Sequence, residues 1–228
     1  MAVEVLDDKK IWDQFVENSP QGTLFHTWDF LNIVERHSGY RLVPYAIYSG
    51  NKLRCILPFF VTRRRGLTLM YSPPPDAQIP YLGPVFDPSV AGLRAHKKEK
   101  VFAQVTDELC TEIDKISPNF LSFITVPSFI DVRTFEWKNY AVQLKFTYAI
   151  DLEKPLDDIW GGFGKRCKQG IKHVSALSPH VEHTSDVSSV LRMWRERRKE
   201  RGERQNLFSD RYLEEVVDAF PQRVTVHT

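Results

Sequence analysis

Between Arg41 and Tyr71 the chain reads RLVPYAIYSGNKLRCILPFFVTRRRGLTLMY. Two apolar runs flank a turn at Ser49 to Lys52, and a third, LTLMY, follows a basic turn at Arg63 to Gly66. Runs rich in Val, Ile, Tyr and Phe, cut by short glycine-bearing turns, predict consecutive hairpin-linked strands. Such turns join antiparallel strands only, because a parallel pair needs a crossover of about a dozen residues or more. Three antiparallel strands in succession exclude the repeating βαβ of a doubly wound sheet. Pro44 and Pro58 lack the ladder N–H, which pushes those positions towards edges or bulges.

The flanks supply helices. A short strand near Val3 to Leu6 comes first, and Asp7 or Asp8 can cap a helix whose apolar face holds Ile11, Trp12, Phe15 and Val16. Thr27 can cap a second helix carrying Phe30, Ile33, Val34 and His37, with Gly39 as its left-handed stop. After the hairpins comes a proline-rich loop, SPPPDAQIPYLGPVFDP, from Ser72 to Pro88. A long helix from about Val90 to Ile116 then carries Phe102, Val105, Leu109 and Ile113 on one stripe. FLSFITV reads as a buried strand, PSFIDVRTFEW as irregular or a short helix, and YAVQLKFTYAIDL as a long strand. The order β, α, α, β, β, β, α, β, short α, β describes a mixed sheet with helices on both faces. That order resembles the GNAT acyltransferase fold.

Beyond Pro155 the reading is helix, short strand (HVEHT), helix, helix and a last strand (RVTVHT). Stripes fall at Val187, Val190, Leu191 and Trp194, and at Leu213, Val216, Val217 and Phe220. The change of character places a domain boundary near Leu152.

Composition narrows the function classes. The 228 residues are 42% hydrophobic and 26% charged, with a net charge of +2. No global basic field argues for nucleic acid. Cys55, Cys110 and Cys167 are widely spaced with no CxxC, which opposes a disulfide framework or zinc knuckle and suits a reducing compartment. The charged start MAVEVLDDKK lacks a signal-peptide core, and no apolar run reaches bilayer length. The expectation is a soluble, cytoplasmic protein.

Local stretches sharpen the resemblance. GTLFHTWDFL, PYLGPVF, DVRTFEW and FTYAIDL, the last followed by the basic stretch WGGFGKRCKQGIKHV, are similar in order to those of Fem-type (FemABX-like) peptidyltransferases and their GNAT-like relatives. The resemblance touches scattered patches from about Leu6 to the end. It implies tandem GNAT-like domains: a first over residues 1–151, and the opening, incomplete part of a second over residues 152–228. It implies N-acyl or aminoacyl transfer to an amine, with acyl-CoA or aminoacyl-tRNA as donor. The acceptor would be a small-molecule amine or one on a peptide or sugar. The family often places its donor site in the second domain, so this chain alone is expected to transfer weakly.

Several constellations bear on that activity. A GNAT domain cradles the donor pyrophosphate with a Q/R-x-x-G-x-G/A loop opening a helix. Here Arg63-Arg64-Arg65-Gly66 leads into a strand, and Thr68 replaces the small residue. The reading is an exposed basic turn and a first domain that does not hold CoA in the usual way. In Gly161 to Val174, Lys165, Arg166, Lys168 and Lys172 could hold a phosphate or carboxylate, Arg166 best because its planar fork fits such oxygens. The competing reading is an amphipathic helix, with Ile159, Phe163, Cys167, Ile171 and Val174 as a core-facing stripe and the basic residues on solvent. That helix is expected to dock on the first domain, with Arg166 near the groove between domains and Cys167 buried.

RMWRERRKERGER is explained largely as a solvated helix face with i,i+4 pairs Arg192–Glu196 and Glu200–Arg204, RNA or anionic lipid being the lesser alternative. No metal site is expected, since His180 and His183 would point to opposite faces of a strand. Trp28, Tyr71, Tyr81, Trp137 and Tyr148 could line an acceptor cleft, although most aromatics are core. Tyr81 is singled out because a stiff loop can hold its ring at a cleft mouth. No catalytic residue follows from the sequence. A non-catalytic binding module and an RNA-associated protein remain as alternatives, with tRNA otherwise entering only as a donor.

Overall fold

The computed structural model describes residues 1–129, 131–184, 186–202 and 210–227. In chain order the elements are β1 (Ala2–Val5), α1 (Lys9–Asn18), a 3-10 turn (Leu24–His26), α2 (Trp28–Ser38), β2 (Arg41–Ser49), β3 (Lys52–Arg64), β4 (Leu67–Ser72) and β5 (Val85–Phe86). They continue as α3 (Pro88–Ala91), α4 (Ala95–Ile116), β6 (Phe120–Phe123), α5 (Arg133–Glu136), α6 (Leu156–Gly162), α7 (Lys165–Ala176), β7 (His183–Thr184), α8 (Ser188–Arg201), α9 (Asp210–Ala219) and β8 (Val226–His227).

The expected hairpins form the centre of a mixed sheet, ordered β1-β2-β3-β4-β6. All neighbours are antiparallel except β4 and β6. β3 changes partner along its length, pairing β5 at Cys55 and Ile56 and β4 from Phe60 to Arg64. That explains the prolines, which sit directly opposite each other in central strands rather than at an edge. The Pro44 carbonyl accepts the Leu6 N–H, so the N–H-less side of Pro44 faces the end of β1. A residue's N and C=O point the same way in a strand, so Pro58 faces the gap between β5 and β4, where no ladder donor is required.

Side chains alternate across the sheet. Ala46, Ile56 and Phe60 face one layer with Trp12 of α1, Phe30 to Val34 of α2 and Tyr212 and Val216 of α9. Val43, Tyr45, Ile47, Cys55, Leu57 and Phe59 face Val105, Leu109 and Ile113 of α4 and Phe135 of α5. Helices thus cover both faces of an α/β sandwich, and each fully buried large side chain contributes roughly 1.5–3 kcal/mol. Asp8 caps α1 through the Ile11 N–H, and Gly39 ends α2 at φ 70°. Thr27 precedes α2 but does not cap it. Its hydroxyl turns back to the Leu24 carbonyl, while Asp13 of α1 accepts the Trp28 N–H.

The second half departs from the sequence reading. No strand forms over residues 140–152. Val142, Leu144, Phe146, Tyr148, Ile150 and Leu152 alternate as a strand should, yet Phe146 is 91% and Tyr148 100% exposed. The stretch Gly161 to Val174 is not one helix either. α6 ends at Gly162, Phe163 is extended, and α7 starts afresh. α7 buries none of its residues, Ile171 and Val174 being 40% and 51% exposed. The expected docking of its stripe does not occur, and Cys167 is exposed rather than buried. Hydrophobic spacing describes a face, and burial needs a second surface to meet it. α9 has one. Phe220 just beyond it reaches Phe30, the Tyr212 hydroxyl donates to the Ala77 carbonyl, and His37 and Arg36 bind Glu215. Of the expected pairs on α8, Arg192–Glu196 makes no ion pair among the described residues, and Arg195 binds Asp210 instead. The Glu200–Arg204 pair falls outside the described residues.

Candidate ligand-binding site

Three of the quoted patches meet at one end of the sheet. GTLFHTWDFL begins at Gly22, which passes so close to α1 that a Cβ there would lie 1.9 Å from the Val16 carbonyl oxygen. It carries His26, fully buried among apolar side chains. The Nε2 of His26 lies 3.2 Å from the Leu82 carbonyl, and Nδ1 lies 2.8 Å from the Thr23 hydroxyl. A carbonyl only accepts, so Nε2 carries the proton and Nδ1 accepts from Thr23. Burial pushes the imidazole down to about 4, against the pull of its bonds to the Leu82 and Gly83 carbonyls. The His26 carbonyl in turn accepts the indole N–H of Trp12 at 2.7 Å.

PYLGPVF is therefore clamped at Leu82, whose C=O takes the His26 proton and whose N–H reaches the Ile124 carbonyl at 2.8 Å. Gly83 adopts φ 73° with Ile124 oxygen 3.1 Å from where a Cβ would be, so any side chain there would be strained and crowd the backbone. The proline-rich loop is mostly buried rather than loose, and Val85–Phe86 within it joins the sheet as β5. Tyr81, half-buried beside the clamp, packs edge-on against Phe25 at 5.8 Å. Trp28 is also half-buried and meets Trp12 at 5.8 Å. Trp28 is thus held on the layer of α1 and α2, while Tyr81 also packs against the layer of α4 and α5.

Lys165 and Arg166 lie exposed on the first turn of α7. Lys168 folds back to the Gly161 carbonyl at 3.0 Å and over the Trp160 ring. The structure gives these cations no contact with Tyr81 or Trp28. The turn at Arg65 and Gly66 is an exposed hairpin between β3 and β4, with Arg64 over the Tyr40 ring. Tyr148 is bare and Trp137 lies under the Arg133 guanidinium. Among the described residues, no three His, Cys, Asp or Glu side chains gather as a metal site, and no helix is long and apolar enough to cross a membrane.

What the sequence did not single out is a cavity of about 470 Å³ beside the third patch, DVRTFEW. It opens between β5, α3, the first turns of α4 and the residues Ser128, Phe129, Asp131 and Arg133. Phe86, Phe102 and Phe129 form its floor, Phe86 and Phe129 stacked at 5.7 Å and 9°. Asp131 takes two bonds from Arg133 at 2.8 Å, and hydrogen bonding to that guanidinium holds its carboxyl below the usual range. Nothing in the sequence pointed to it, because Gln21, Phe86, Lys98 and Phe129 come from four separate segments, and none of the aromatics proposed for a cleft lines it.

The class defined so far is a mixed α/β sandwich with a largely antiparallel central sheet. The fold is shared with a solved structure titled "Crystal structure of FemX", at a TM-score of 0.56 and 13% sequence identity, over 96% of this chain. The chain spans 55% of the length of that one. No protein-family model and no curated protein matches the sequence.

Proposed function

We propose that this chain is part of a Fem-type transferase that passes an acyl or aminoacyl group to an amine. The observation that supports this is the likeness of fold to FemX over nearly the whole chain. The ordered patches of the sequence resemblance agree with it, since three of them adjoin in space at the clamp and the cavity. Such a transfer asks little of side chains: an activated donor, a positioned amine, and backbone N–H groups for the tetrahedral oxyanion. On this reading Arg166, with Lys165 and Lys168, binds the anionic part of an acyl-CoA or aminoacyl-tRNA, and Tyr81 and Trp28 border the place of the peptide, sugar or small-molecule amine. Residues 152–228 then open a second domain of the same kind. On the same reading this chain alone transfers weakly.

A thermal-shift screen tests the donor class. A ligand at about 100 times its Kd stabilises by about 2.7 kcal/mol, which for a chain this size is roughly 5–10 °C. Acetyl-CoA, a long-chain acyl-CoA or an aminoacyl-tRNA mimic should produce such a shift, and Arg166→Ala should reduce it. An equal response to any anionic polymer would favour the RNA-associated reading, and no response to any donor would oppose transfer.

A further inference from the structure

We propose that the cavity between β5, α4 and the residues Ser128, Phe129, Asp131 and Arg133 is a binding site for an apolar monocarboxylate, an aryl or medium-chain aliphatic acid. These residues are distinct from those assigned to transfer, so the inference stands apart from that reading. The volume, about 470 Å³, lies within the range of small-molecule sites. Its interior is apolar. Phe86, Val90 and Phe129 are each at most 5% exposed, and the rings of Phe86, Phe102 and Phe129 present a continuous aromatic floor. An apolar or aryl body is what such a floor accepts.

Charge fixes the other end of the ligand. Four charged side chains line the cavity: Asp87, Lys98, Asp131 and Arg133. Asp87 is occupied by Lys52 at 3.0 Å and by the Ser89 N–H at 2.7 Å. Asp131 is occupied by Arg133, whose Nη2 also reaches Glu99 at 3.0 Å. Lys98 is half-buried and makes no ion pair among the described residues. Lys98, a lining cation without an ion-pair partner among the described residues, can meet one anion on an apolar body at the edge of this cavity. A dianion would leave its second charge unpaired there, since Arg133 already serves Asp131 and Glu99.

The test is calorimetric titration of the 228-residue chain with 1-naphthoate and decanoate, against their uncharged amides. Lys98→Met keeps the aliphatic stem and removes the charge. Ala91→Trp, at an exposed lining position, fills the cavity without cutting into the core. Both variants should keep the parent circular dichroism and melting temperature. At least one acid should bind, the matching amide at least tenfold more weakly. Lys98→Met should lose at least tenfold for the acid only, and Ala91→Trp should abolish binding. Amides that bind as tightly as the acids would overturn the proposal. So would binding unaffected by Lys98→Met or Ala91→Trp, or no binding of either acid at millimolar concentration.

Discussion

His26 should make the stability of this protein fall with acid well before its carboxylates titrate. The folded imidazole stays neutral down to about 4, from an ordinary 6.5, because it is buried. The unfolded chain protonates near 6.5, so between the two values it binds a proton that the folded chain excludes. Stability therefore declines as pH falls through that window, at up to about 1.4 kcal/mol per pH unit, and by about 3 kcal/mol in all. Below about 4 both states are protonated and the decline from this residue stops. The comparison is urea unfolding at several pH values between 7.5 and 4, for the parent and for His26→Gln. Glutamine cannot titrate, and its amide can still donate to the Leu82 carbonyl. Losing the ring's fit and the Thr23 bond should cost about 1–3 kcal/mol at pH 7.5. That deficit should vanish or reverse by pH 4, since contributions common to both proteins cancel. Parallel pH profiles for the two would refute the assignment of a neutral, proton-excluding His26.

Other expectations follow from burial and charge. Phe59→Ala, in the core behind β3, should cost about 3–5 kcal/mol in urea unfolding, while Phe146→Ala, on the bare segment, should stay within about 0.5 kcal/mol. Arg166→Ala should leave the melting temperature unchanged and weaken anion binding, more at low salt than at high salt. The hydrogen bond from His37, with Arg36, holds the Glu215 carboxyl below its usual range, so its share of stability is present above the ordinary carboxylate pKa and lost as pH falls through the depressed one. Glu215→Gln should flatten that acid loss in far-UV melts. In a thiol titration of the native chain Cys167 should react first, and Cys55, buried with its thiol pushed up by desolvation, only on unfolding.

The hairpins from Arg41 to Tyr71 were legible because apolar runs cut by short turns leave one topology. The caps at Asp8 and Gly39 were legible because each is a local backbone requirement. Pro44 and Pro58 misled, since the sequence cannot say that β3 changes partner between β5 and β4, leaving a gap that needs no donor. YAVQLKFTYAIDL misled more seriously. Its alternation from Val142 to Leu152 reports an amphipathic extended chain, but pairing requires an edge strand to receive it. The stripe on α7 failed for the same reason. His26 lay inside a quoted patch, and its only signal was a lone histidine in an apolar run. Lys98 gave none, being one lysine in AHKKEK, and its meaning comes from Phe86 of β5 and from Phe129, which line the same cavity.

Transfer itself is tested most directly by single-turnover mass spectrometry with the protein in excess over donor. Acetyl-CoA, a long-chain acyl-CoA and a charged tRNA would each be offered to a panel of peptide, amino-sugar and small amines. The predicted result is a new amide on at least one amine, above the protein-free control and dependent on Arg166, without sustained turnover when donor is in excess. Sustained turnover would contradict the weak activity expected of this chain alone. Hydrolysis of every donor with no amide formed would contradict N-acyl or aminoacyl transfer.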